Sequence, residues 1–206
     1  MEHLLQRYPV LSRCREEIAA ARELMLQTYR MGGKILLCGN GGSCADCDHI
    51  VGELMKGFLS TRKMEEHDRE RFFSLCGEEG AFYADSLQYG IPALSLAGTA
   101  AVNSAFNNDV ESALVYAQGV WAMGQKNDLL IGLSTSGNSE NVINALITAK
   151  AKGLKSLGLT GAGECAMDRW CDTVIHVPER EAFKMQELHL PVYHYLCAAM
   201  EAELFV

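Results

Sequence analysis

The chain predicts an α/β fold in which a parallel sheet is covered by helices on both faces, and three observations lead there. Short runs at residues 35–38, 129–133, 156–159 and 174–177 are apolar almost throughout, as strands buried on both faces are. Segments with apolar residues at helical spacing alternate with these runs, which implies strand–helix–strand crossovers. Two of the runs end in polar turns that lead into helices, Gly39-Asn40-Gly41-Gly42 and Ser134-Thr135-Ser136-Gly137-Asn138-Ser139. In open parallel sheets ligands bind beyond the carboxyl ends of the strands, where both turns lie.

Taken in order, residues 3–30 place Leu4, Leu5, Tyr8, Ile18, Leu24, Met25 and Tyr29 at helical spacing; Pro9 divides this stretch and Gly32-Gly33 ends it. The strand at 35–38 follows. A helix then runs to about Phe58, with Ser43 expected at its N-cap. Residues 60–90 change character: Arg62 to Arg71 is a dense mixed-charge run, read as a solvated helix face in a surface excursion. Strand 93–97 and a helical region at 101–123, broken near Asn107-Asn108-Asp109, come next. Strand 129–133 leads to a helix at 139–152 with Val142, Ala145, Leu146 and Ala149 on one face and Gly153 as its stop. Strands at 156–159 and 174–177 flank a short helical stretch at 167–170, and a helix at 182–204 ends the chain. At 206 residues one well-cored domain covering 1–206 is expected.

Composition excludes several functions. A net charge of −8 without a basic stripe argues against a nucleic-acid groove. No apolar stretch reaches the roughly 18 residues of a membrane span, and the mixed charges of the first 14 residues do not make a signal peptide. With no export signal, the eight cysteines read as free thiols of a cytoplasmic protein. Cys14, Cys38, Cys76, Cys171 and Cys197 sit among apolar or mixed neighbours, as buried thiols do. Cys44-Ala-Asp-Cys47 has redox or zinc spacing, but no second such pair completes a four-cysteine site, so helix packing is expected of it.

The two turns carry the first chemical signal. Each leaves backbone N–H groups free at a helix start, where the helix dipole favours an anion such as phosphate. The serine-rich turn adds four hydroxyls, so it can cradle a phosphate with little help from cationic side chains. Neither turn matches a P-loop or a dinucleotide fingerprint. The second signal is His49 and Glu53, one helical turn apart and so on one face. The C-terminal helix carries Gln186, His189 and His194, with Gln186 and His194 roughly on one side. A histidine on an amphipathic helix is often only packed or solvent-facing. Together with His49 and Glu53, however, these residues could form a His/Glu/Gln/His set suited to zinc or a similar divalent ion.

GNGGS at 39–43, the His49/Glu53 pair, STSGNS at 134–139 and QELHLPVYH at 186–194 resemble sugar isomerase (SIS) domain proteins, and more narrowly their phosphoheptose isomerase group. The likeness runs from about residue 15 to the end, with a longer excursion at 60–90 than that group has. It implies a flavodoxin-like three-layer sandwich assembled as a homotetramer with active sites shared between subunits. It also implies an aldose–ketose isomerase converting sedoheptulose 7-phosphate to a heptose 7-phosphate through an enediol, with Glu53 and His194 as acid and base. Ser134, Thr135, Ser136 and Ser139 would bind the phosphate with Asn40, Gly41, Gly42 and Ser43, and Asn108, Asp109 and Gln186 would meet the sugar. A divalent metal, zinc first, would be held by His49, Glu53, Gln186 and His194. The family often has an acidic residue three before the glutamine; here Phe183 stands there, which changes the sugar end of the pocket. The alternative within the same fold is a non-catalytic phosphosugar-binding regulator or a partner protein in replication initiation.

Overall fold

The computed structural model describes residues 1–205. Five parallel strands form the sheet: β1 (Ile35–Gly39), β2 (Ala93–Ser95), β3 (Leu129–Leu133), β4 (Lys155–Thr160) and β5 (Thr173–His176). Their spatial order is β2-β1-β3-β4-β5, the flavodoxin-like order. The helices are α1 (Glu2–Arg7), α2 (Arg15–Arg30), α3 (Gly42–Met55), α4 (Glu66–Cys76), α5 (Gly80–Ser86), α6 (Ala100–Asp109), α7 (Val115–Met123), α8 (Glu140–Ala151) and α9 (Ala182–Leu204).

The pleat sends alternate residues to opposite faces and so divides the core in two. Ile35, Leu37, Leu129, Ile131, Leu133, Leu157 and Leu159 meet α2, α3 and α9 through Ile18, Met25, Ile50, Leu54, Val192 and Leu196. Leu36, Cys38 and Leu130 meet α7 and α8 through Val120, Val142 and Leu146 on the other face. The result is the expected three-layer sandwich. Because both faces are buried, β1 and β3 are buried at every position.

The expected elements are all present, with local corrections. The helix after β1 is capped by Gly41 rather than Ser43, because Gly41 turns at φ 56°, a conformation glycine adopts without steric cost. Ser43 is the second helical residue and is buried. Strand β2 stops at Ser95, where a 3-10 turn over Leu96–Gly98 begins. Helix α9 has the expected bounds and runs through Pro191, which is buried. Cys76 is exposed, unlike the thiol expected there, whereas Cys47 is buried as a packing residue should be. All eight cysteines are free.

The mixed-charge run divides at its start. Helix α4 buries none of its residues, as expected of a solvated face. Arg62, by contrast, is 1% exposed and lies inside the molecule. Its Nε donates to Glu201 Oε1 at 2.9 Å, and its Nη1 and Nη2 donate to the carbonyls of Leu54 and Glu53 at 2.5 and 3.0 Å. Those carbonyls belong to the last turn of α3, which has no intrahelical partners for them. Glu201 also accepts from the backbone N–H groups of Phe58, Leu59 and Ser60. Burial pushes its carboxyl up, but these three N–H groups and the guanidinium outweigh that and hold it below the usual carboxylate range. Burial is possible here because every charge-bearing atom has a partner.

Among the described residues, no helix is long and apolar enough to cross a membrane.

Candidate active site

The two polar loops meet at the point where the strand order reverses, between the ends of β1 and β3. Ser134 is buried, and its Oγ lies 2.9 Å from Ser139 Oγ and 3.5 Å from Ser136 Oγ. Gly137, at φ 64°, folds the loop back so that its N–H donates to the Ser134 carbonyl at 3.0 Å. Ser139 is the N-cap of α8 but makes no side-chain cap bond, so the first N–H groups of that helix stay open toward the loop. The Thr135 carbonyl accepts from Gly161 N–H and Thr160 Oγ1, which ties this residue to β4.

The two loops are joined side by side. Asn40 and Asn141 exchange amide hydrogen bonds of 2.8 and 2.9 Å, and the buried Tyr116 hydroxyl donates to the Gly39 carbonyl at 2.6 Å. A cavity of about 590 Å³ opens here, lined among others by Asn40, Asn103, Asn107, Tyr116, Ser139 and Asn141. Its walls carry amides and hydroxyls beside Ala113, Val115 and Glu140, a mixed lining suited to a polyhydroxylated ligand. The sequence pointed to Asn108 and Asp109; both are exposed at the end of α6 and bond each other at 2.7 Å, while their neighbour Asn107 lines the cavity. Asn103 lies one helical turn before Asn107, a spacing that could have marked both.

The second constellation lies farther along α3. His49 and Glu53 meet His194, which α9 brings alongside: His49 Nε2 is 3.2 Å from Glu53 Oε1 and 3.3 Å from His194 Nε2. Behind them, Tyr193 is 2% exposed, and its hydroxyl lies 3.1 Å from both Asp46 Oδ1 and His49 Nδ1. Burial first, and then the Asp46 carboxylate, push the Tyr193 phenol above its ordinary range, so it keeps its proton. That proton goes to Asp46, and the phenol oxygen accepts from His49 Nδ1–H. In that arrangement His49 turns its other ring nitrogen, Nε2, toward Glu53 and His194. Burial first, and then the adjacent His49, lower the His194 pKa against an upward pull from Glu53, which disfavours the charged form of its ring. Sequence reading missed Tyr193 and Asp46; the placement of Asp46 three residues before His49 was the available signal.

Three potential metal ligands thus converge, and they fit a divalent ion. Their ligand atoms all lie within 4.8 Å of one another. Zinc–nitrogen bonds of about 2.0–2.1 Å in a tetrahedral site put adjacent ligand atoms about 3.3 Å apart, the spacing found at His49. Glu53 Oε2 is buried and makes no hydrogen bond among the described residues. Gln186 is placed elsewhere. It lies two turns earlier on α9, about 12 Å along the axis, with its side-chain amide directly against Gly42. Phe183, in the first turn of α9, is exposed. The second cavity at His194, about 570 Å³, is lined by Phe58, Leu59, Leu190 and Tyr195 and is separate from the one at the loops.

Tyr193→Phe removes the hydroxyl that fixes the His49 tautomer while keeping the ring. It is expected to weaken divalent-ion affinity by about 10–100-fold without a change of fold, read by competition with a chromogenic chelator.

Two family models, both described as SIS domain, match residues 4–68 and 81–200. The chain belongs to the SIS domain family. Within it the chain falls among the phosphoheptose isomerases. It is 36% identical to the phosphoheptose isomerase of Aneurinibacillus thermoaerophilus over 180 residues, 87% of this chain and 78% of that one. It is 34% identical to that of Aliarcobacter butzleri over 195 residues, 95% of this chain and 89% of that one. The solved phosphoheptose isomerase of Francisella tularensis superposes with a TM-score of 0.78 at 26% identity, covering 98% of this chain and 94% of its own. The Neisseria gonorrhoeae structure gives 0.76 at 27% identity with the same coverage.

Proposed function

We propose that this protein is an aldose–ketose isomerase of sugar phosphates, with sedoheptulose 7-phosphate as its substrate and a heptose 7-phosphate as its product. The observation that carries the reading is the convergence of Glu53 with His194, drawn from the two ends of the chain onto one face of α3. The family relationship and the polar cavity at the loops support the same substrate class.

The reaction moves a proton between the carbonyl carbon of the sugar and the carbon next to it. One group must take the proton from the carbon next to the carbonyl while another serves the carbonyl oxygen, and the roles exchange in the enediol. Glu53 is the carboxylate that takes and returns the carbon-bound proton. His194, whose charged form burial disfavours, is the partner that shuttles the proton of the oxygens. His49 is held by Tyr193 in the orientation that keeps both within reach. The phosphate is bound by Ser134, Thr135, Ser136 and Ser139 with the open N–H groups of α8, and Asn40, Gly41, Gly42 and Ser43 close the other side. Asn108, Asp109 and Gln186 contribute to the sugar end, where Phe183 replaces a carboxylate. A divalent ion, zinc by the chemistry of the donors, would be held by His49, Glu53 and His194 and would polarise the substrate carbonyl or fix the geometry; a Glu53 carboxylate bound tightly to it would be the poorer base.

Ser134→Ala removes the buried hydroxyl at the centre of the serine cluster. Loss of one hydrogen bond to a charged phosphate, about 1.5–3 kcal/mol, should raise KM about 10–100-fold and leave kcat within a few-fold. An unchanged KM would move the phosphate elsewhere.

The loop cavity and the reactive cluster open separately within one chain, with Glu53 about 16 Å along α3 from Gly42. A homotetramer in which a neighbouring subunit completes each site would bring the two halves onto one substrate. Light scattering on the purified protein measures this: four chains are expected, and a monomer with full activity would contradict the shared site.

A further inference from the structure

Beyond this site, the structure holds a second group of potential metal ligands, two on the connection after β4 and one at the end of β5. Cys165, Asp168 and His176 each offer one ligand atom, and these atoms lie within 4.8 Å of one another. Asp168 Oδ1 is 2.8 Å from His176 Nε2 and 3.7 Å from Cys165 Sγ. The remaining polar atoms of the group are already engaged by the backbone. His176 Nδ1 lies 3.0 Å from the Gly161 carbonyl and donates to it, while Asp168 Oδ2 accepts from Cys165 N–H at 2.8 Å. An imidazole whose far nitrogen donates to a carbonyl presents its other nitrogen as a ligand, and backbone bonds of this kind fix ligand orientation in metal sites. The 3-10 turn over Ala166–Arg169, which carries Asp168, is anchored by the fully buried Met167. A cavity of about 310 Å³ lined by Gly163, Glu164, Asp168 and His176 leaves the cluster open to solvent on one side.

We propose that Cys165 Sγ, Asp168 Oδ1 and His176 Nε2 form a second divalent-metal site, for an ion of the zinc type, with water in the open position. A mixed thiolate, imidazole and carboxylate set at this spacing suits a borderline-soft ion, whereas calcium or magnesium would require an all-oxygen shell. Binding forms the metal–sulfur bond and releases the thiol proton to solvent. The proton shared between His176 Nε2 and Asp168 Oδ1 leaves as well, and the metal takes its place. The site's position gives it a purpose. Cys165 packs directly on Gly137 of the serine loop, where an added Cβ would come 2.3 Å from its sulfur. The next two residues hold the same loop, with Ala166 N–H on Asn138 Oδ1 at 2.9 Å and Met167 N–H on the Gly137 carbonyl at 3.2 Å. A metal here would clamp the β4–β5 connection against the back of the phosphate cradle without touching substrate.

The test is titration of metal-depleted full-length protein with cobalt(II) and then zinc, following absorbance and bound equivalents. Thiolate-bound cobalt absorbs strongly in the near ultraviolet, and the His49/Glu53/His194 cluster contains no thiolate. We expect that band to saturate by two equivalents in the wild type and at one in His49→Ala, to be lost in Cys165→Ser, and to require at least tenfold more cobalt in His176→Gln. Zinc should displace the cobalt and abolish the band. Absence of the band in the wild-type protein at millimolar cobalt would overturn the proposal. So would its survival in Cys165→Ser, which would assign it to another free cysteine. Because His49→Ala reports on the other cluster alone, failure of either site is seen separately.

Discussion

Glu53→Gln is expected to lower kcat by about 10²–10⁴-fold, the usual contribution of a positioned general acid or base, while the thermal unfolding midpoint stays close to that of the wild type. The substitution keeps size and hydrogen-bonding shape and removes only the charge and the basicity. The surroundings tolerate this, because Glu53 faces His49 at 3.2 Å and Lys56 Nζ at 3.8 Å rather than a buried cation. His194→Ala should bring an equally deep loss for a different reason. In the proposed mechanism its ring is the second proton carrier, and it lies 3.3 Å from His49. Steady-state kinetics with saturating sugar phosphate reads both variants. Near-normal kcat in either one would remove that residue from the chemistry.

The largest effect on stability is expected at Arg62. Its guanidinium is fully buried, paired with Glu201 at 2.9 Å and bonded to two carbonyls at the end of α3. Arg62→Ala leaves the Glu201 carboxylate buried with only its backbone donors and strips the helix end of its cap, which should cost about 3–5 kcal/mol in urea unfolding. Arg62→Lys keeps the charge but cannot match three acceptors with a planar fork, so it should recover only part of that loss. Because the same guanidinium holds the Glu53 carbonyl, the lysine variant should also lose activity beyond its fraction unfolded. A cost below about 0.5 kcal/mol for Arg62→Ala would show that this ion pair does not hold the end of α3.

What the sequence revealed follows from which interactions are local. Strands β1 and β3 were legible because two-sided burial makes them continuous apolar runs, and α9 was legible through Pro191 because the apolar spacing continues on both sides of it. His49 and Glu53 were legible because a helix turn sets their separation. Their meeting with His194 rested on resemblance, since it depends on α3 and α9 packing side by side, a consequence of strand order rather than of any local pattern. Arg62 was assigned to a solvated run because its partner lies 139 residues away, and nothing in the run's composition distinguishes it from the exposed charges that follow. The same holds for Tyr193, whose role depends on Asp46 147 residues before it. Gln186 shares a helix side with His194, yet two turns of rise carry it to Gly42 instead.

Hydrogen exchange in heavy water measures directly the proposed step in which Glu53 and His194 move a proton on a sugar phosphate. The purified protein would be incubated in deuterium oxide with a panel of pentose to heptose phosphates, and label at the carbon beside the carbonyl followed by NMR. Deuterium should appear there with the heptose phosphate in the wild-type protein and be absent in Glu53→Gln. A protein that binds these sugar phosphates but exchanges label into none of them would contradict the account and would be a phosphosugar-binding protein without catalysis.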